Sequence, residues 1–128
     1  MKKKISKKYL KVWIAFVNIN AEEGYNFPDL INSEGESKEN IIGAVAYIAL
    51  IAPDIYGALD VLHRGLHELH LRVEMLFEIR NVYHLCECGE LSDNEEIEVD
   101  WLLKSNYVFK IIDRLWPYSY RNQSRGRF

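Results

Sequence analysis

The sequence predicts an all-α protein: a single helical bundle of about five helices spanning residues 1–128, with basic ends. Three observations lead there. Between Asp54 and Leu85, residues Ala58, Leu62, Leu66, Leu69, Val73, Leu76 and Tyr83 gather on one side of a helix at 100° per residue. A stripe that long requires other helices to cover it, because a helix gains most of its stability by burying one face. Residues 41–52 form the longest uncharged apolar run, as expected of a helix buried nearly all round. Capping residues also stand ahead of the apolar runs: Ser6, Ser37, Ser92 or Asp93, and Ser105, while Pro53 or Asp54 starts the long helix. A small strand-bearing domain is the alternative architecture.

In chain order, residues 6–20 carry Tyr9, Val12, Trp13, Phe16 and Val17 at spacings that fit one buried helical face. The same segment is rich in β-branched and aromatic residues, which leaves a strand open. Gly24, Asn26 and Pro28 end regularity, and residues 21–37 read as the one long loop. Ser37 then caps a helix over residues 37–52, whose Gly43, Ala44, Ala46 and Ala49 let neighbouring helices approach. Pro53 stops it, since a residue before proline is pushed out of helical angles. The long helix follows, with a kink or break expected near His70–Arg72, where Leu71, Val73, Met75 and Phe77 alternate as in a short strand. Leu76 spoils that alternation. Gly89 ends the segment. Glu95 and Glu96 sit in the first turn of the next helix, with Ile97, Trp101 and Leu102 expected to face inward. A last helix covers residues 106–116 and Pro117 closes it; residues 119–128 have no apolar period and look frayed.

A chain of this length fits one domain and needs no metal or disulfide to fold. Lysines 7, 8 and 11 interrupt the apolar start, and no small-x-small site follows, which argues against a signal peptide. Twelve residues, at 41–52, are too few to cross a bilayer. With only Cys86 and Cys88, too close for a relaxed disulfide, the chain reads as cytoplasmic. The net charge of −3 hides an asymmetry. Residues 1–11 hold six lysines and residues 114–128 four arginines, while residues 12–113 hold all 19 acids against six bases. An acidic body repels nucleic acid and attracts basic proteins. The acids concentrate at Glu87, Glu90, Asp93, Glu95, Glu96, Glu98 and Asp100, either a solvated face or a docking surface, with Trp101 and Tyr107 as aromatic anchors.

Three further clusters bear on chemistry. His63, His67 and His70 stand at helical spacing, with Glu74 one turn on, and such a line can hold zinc; a tolerated helix shoulder is the plainer reading. His84, Cys86 and Cys88 suit a soft metal, yet no second cysteine pair completes a tetrahedral site. A catalytic cysteine here would need a base and an orienting group. Arg64 and His70 make an Arg-x5-His spacing that resembles the motif of HEPN-type ribonucleases, which are helical bundles. Gly65 departs from that motif, where a polar residue usually follows the arginine, and the acidic body argues against an RNA substrate.

The second half carries Gly65-Leu66, Glu68-Leu69, Ile79-Arg80-Asn81-Val82, Gly89-Glu90-Leu91, Trp101-Leu102 and Ser105-Asn106-Tyr107-Val108-Phe109. Over roughly residues 60–118 this rhythm resembles small bacterial immunity proteins encoded beside contact-dependent growth-inhibition toxins and related polymorphic toxins. The resemblance implies a cytoplasmic, non-enzymatic protein without a cofactor. It would bind one cognate toxin domain, typically a nuclease with a basic cleft, and occlude its active site. Such proteins diverge widely, so no functional residue carries over. The alternatives are a metal-binding protein using His63, His67 and His70, or a HEPN-like ribonuclease.

Overall fold

Apolar residues in near-unbroken succession, rather than in alternation, mark a strand covered on both faces. Val12–Ala21 (β1) and Ile41–Ile51 (β2) are strands of this kind in the structure, a computed structural model that describes residues 5–27 and 41–119. With Leu71–Asn81 (β3) and Phe109–Ser119 (β4) they form a four-stranded antiparallel sheet in the order β3-β1-β2-β4. The all-α bundle is therefore overturned: the fold is a sheet with helices on both faces.

Helix α1, Ile55–Glu68, covers one face. Its Ala58, Leu62 and Leu66 are fully buried against Ala15, Val17 and Ile19 of β1 and Ala44, Ala46, Ile48 and Leu50 of β2. The other face is covered by α2 (Val82–Glu87), α3 (Asp93–Lys104) and a 3-10 turn at Lys7–Lys11. There Val82, Leu85, Val99 and Leu102 pack on Val12, Ile14, Ala49, Ile112 and Tyr9. Side chains alternate across a strand, so Ile14 and Ala15, adjacent in sequence, belong to opposite cores.

Several expectations give way. The helix over residues 6–20 shrinks to the Lys7–Lys11 turn, capped as expected by Ser6, and then becomes β1. The buried helix over 37–52 is β2, and its small residues admit α1 rather than a neighbouring helix of a bundle; Ser37 and the loop 28–40 lie outside the described residues. The long helix stops at Glu68, with Asp54 as its cap. The break expected near His70–Arg72 is the turn into β3, so Leu69, Val73 and Leu76 leave the helical stripe, and Leu69 and Leu76 are exposed. The last helix is instead β4, and Ser105 ends α3 rather than starting another helix.

β-Bulges explain two of these. In β3 the pairing with β1 passes from Glu78 to Leu76 and from Met75 to Val73, so one residue is extra at each step. The first bulge is where Leu76 breaks the alternation. In β4 the partners of Tyr47 and Val45 are Ile112 and Trp116, four residues apart where a regular strand would have two. That offset reproduces the i, i+4 spacing of a helix. Among the described residues no helix is long and apolar enough to cross a membrane.

Helix α1 reaches the sheet where Gly65 meets Phe109 at the start of β4. A Cβ at Gly65 would stand 2.2 Å from Cδ2 and 2.4 Å from Cγ of the Phe109 ring. Alanine gains about 1 kcal/mol over glycine inside a helix, but overpacking at this contact costs about 1–3 kcal/mol. The ring cannot yield cheaply because the clash includes Cγ, near its root. Gly65→Ala is expected to lower the urea midpoint, and Gly65→Ala with Phe109→Leu to recover part of the loss. A rise in midpoint for the single variant would show that α1 does not sit this close.

Candidate partner-binding face

Helix α3 begins with a complete capping box. Ser92 Oγ accepts from the Glu95 amide at 3.2 Å, and the Glu95 carboxylate accepts from the Ser92 amide at 2.9 Å. At 100° per residue its apolar residues divide onto two sides. Val99 and Leu102 are buried. Ile97 and Trp101 point the other way and are 65% and 48% exposed, which corrects the expectation that Ile97 and Trp101 face inward. Beyond the helix end, Tyr107 and Val108 are exposed by 65% and 48%. The Trp101 and Tyr107 rings lie parallel within 8°, with centroids 6.2 Å apart. Lys110 Nζ sits 4.4 Å over the Trp101 ring and is ion-paired with Glu98. Trp101 thus contacts both a cation and an aromatic ring while much of its surface faces water.

The acids around this face are mostly engaged within the chain. Glu90 takes Arg80 at 2.5 Å, which holds its carboxyl below the usual range. Glu95 belongs to the cap and Glu98 to Lys110. Asp100 accepts from the Tyr9 hydroxyl at 2.8 Å and pairs with Lys8 at 3.2 Å, tying the basic Lys7–Lys11 turn to α3. Burial, and then the bond to Asp100, push the Tyr9 phenol upward. Glu87 lies 3.5 Å from His84. Asp93 and Glu96 are exposed. Asp93 lies one turn before Ile97, on the side of Trp101.

The histidine line does not form a metal centre: among the described residues no group of three or more His, Cys, Asp or Glu is arranged to hold an ion. His63 is exposed on α1. His67 and His70 converge instead on Glu22 at the end of β1. His67 Nδ1 is 2.6 Å from one carboxylate oxygen, and His70 Nδ1 3.9 Å from the other. His70 takes the left-handed conformation, φ 62°, just past the end of α1, and stacks on Tyr25 with centroids 4.0 Å apart. Glu22 and Tyr25 were not legible as neighbours, since they lie more than 40 residues upstream of these histidines. Arg64 and His70, the pair of the Arg-x5-His spacing, have separate partners, Asp60 and Glu22. Arg64 is bonded to Asp60 at 3.0 Å and points along α1.

The hydrogen bond to Glu22, more than its charge, raises the His67 pKa above the usual value of 6.5. A raised pKa means that the interaction contributes fully below about 6.5 and is lost as pH rises through the folded value. In an NMR titration the His67 midpoint is expected to fall in Glu22→Gln. A midpoint unchanged by Glu22→Gln would remove the Glu22 contact. No protein family, curated protein or solved structure matched the chain.

Proposed function

We propose that this chain is a non-enzymatic immunity protein that binds a basic toxin domain, a nuclease by class, and blocks its active site. The observation that carries the reading is the exposed cluster of Ile97, Trp101, Tyr107 and Val108 on a body whose residues 12–113 hold 19 acids against six bases. An apolar centre with fixed aromatic rings inside a charged surround is the anatomy of a tight interface. Trp101 loses little freedom on binding because Lys110 and Tyr107 already hold it. The acidic body would speed encounter with a basic partner and disfavour nucleic acid.

The engaged carboxylates refine the expected mechanism. Glu90, Glu95, Glu98 and Asp100 mainly shape the chain's own surface, so direct electrostatic contact beside the anchors Trp101 and Tyr107 falls to Asp93, while Glu96, which lines the cleft beside Tyr9 and Cys86, acts through the field. The resemblance of residues 60–118 to immunity proteins of contact-dependent growth-inhibition systems agrees with this reading, which implies a cytoplasmic site of action.

The test is growth. Cells producing the toxin domain encoded beside this gene should survive when the chain is co-produced, and the chain alone should be harmless. Trp101→Ala with Tyr107→Ala should weaken binding by about thirtyfold or more, as hot-spot residues do, and Glu96→Lys should chiefly slow association. Growth arrest by the chain alone, or full protection by the double variant, would overturn the proposal.

A further inference from the structure

The geometry points to Cys88 as a modification site: a surface thiol that exchanges with small disulfides, with His84 taking its proton and Glu87 orienting the imidazole. Cys88 is the exposed C-cap residue of α2, followed by Gly89 at φ 69°. Its Sγ stands 3.7 Å from His84 Nε2, and His84 Nδ1 stands 3.5 Å from Glu87 Oε1. Residues 84, 87 and 88 share one side of the short helix, so the imidazole lies between a thiol and a carboxylate. A carboxylate beside Nδ1 favours the tautomer with its proton there, leaving Nε2 as the acceptor that faces the thiol. These are the base and the orienting group that a working cysteine requires.

Exposure sets Cys88 apart from Cys86. A cleft of about 840 Å³ opens beside α2, lined by Cys88, Leu91, Lys8 and Tyr9 and by the carboxylates of Glu87 and Glu96. It has room for a substituent of tripeptide size. Cys86 also borders this cleft but is half-buried, and burial, with Glu96 and Asp100 nearby, pushes its thiol upward. A thiol held protonated is a poor nucleophile. The two cysteines are also two positions apart around a helix end, so bridging them would unwind the last turn of α2.

The step is thiol–disulfide exchange with a low-molecular-weight disulfide R–S–S–R. His84 Nε2 accepts the Cys88 proton, and the thiolate attacks one sulfur of the disulfide. The Cys88–S–S–R bond forms as the R–S–S–R bond breaks, and the departing RS⁻ takes the proton from the imidazolium. One Cys88 thiol is oxidised and one RSH is released. Cys86 does not displace the bound RS group, so the product stops at the mixed disulfide.

The test treats the full chain with oxidised glutathione and follows intact mass and mapped peptides. One adduct, on Cys88, should form at least about tenfold faster than any on Cys86. His84→Gln should slow it about tenfold near pH 7, and the gap should close at alkaline pH, where the thiolate forms without a base. If His84→Gln does not fold, Glu87→Gln decides, since it leaves the His84 ring in place and removes the carboxylate beside Nδ1: slower adduct formation supports the assignment, and an unchanged rate overturns it. Equal labelling of both cysteines, an internal Cys86–Cys88 bridge, or an unchanged rate in folded His84→Gln would also overturn it.

Discussion

Strands β1 and β2 carry apolar side chains on both faces, and a sheet of that kind is stable only with a layer on each. The order of the elements follows from this. Residues 55–68 supply one layer directly after β2, and residues 82–104 supply the other between the two edge strands. Neither layer suffices alone, because Ile14 and Ala49 belong to one core while Ala15 and Ile48 belong to the other. Polar ties then fix the layers in place. Asn81 caps α2 and donates to the Leu10 carbonyl, Trp13 donates to the Ala52 carbonyl, and Tyr9 donates to Asp100.

The second layer is also where the chain meets the outside. Helix α3 buries Val99 and Leu102 and turns Ile97 and Trp101 to solvent, so one short helix both completes the core and carries exposed apolar surface. Most of its carboxylates are used to hold it. The cap at Ser92, the Tyr9 bond at Asp100 and the Lys110 pair at Glu98 make a rigid platform, and a rigid platform suits recognition better than a flexible one.

How much of this was legible follows from period. Helix α1 was, because Ala58, Leu62 and Leu66 face one core and its other side faces water. So were the caps at Ser6 and Ser92 and a break near His70–Arg72, all local signals. Strands β1 and β2 were not, because burial on both faces erases the period of two by which a strand is recognised. Strand β4 was misread because its bulge sets paired positions four apart, the step of a helix. The outward side of Ile97 and Trp101 could not be read from the sequence: apolar residues on two sides of α3 leave its buried side undecided. The meeting of Glu22 with His67 and His70 depends on the β1–β3 pairing, which no local pattern encodes.

The bulges of β3 have one more effect. This strand is an edge of the sheet, and Met75, Leu76 and Phe77 are exposed along it. An apolar edge with free amide and carbonyl groups is the usual template on which one chain adds to the next and seeds fibrils. Two added residues within six interrupt the regular hydrogen-bonding row that an incoming strand would have to match. The charges of Arg72, Glu74 and Glu78 are spaced among the apolar residues and act as gatekeepers. Among the described residues β3 is an edge strand, and the irregularity that hides it from a sequence reading also makes it a poorer template for an added strand.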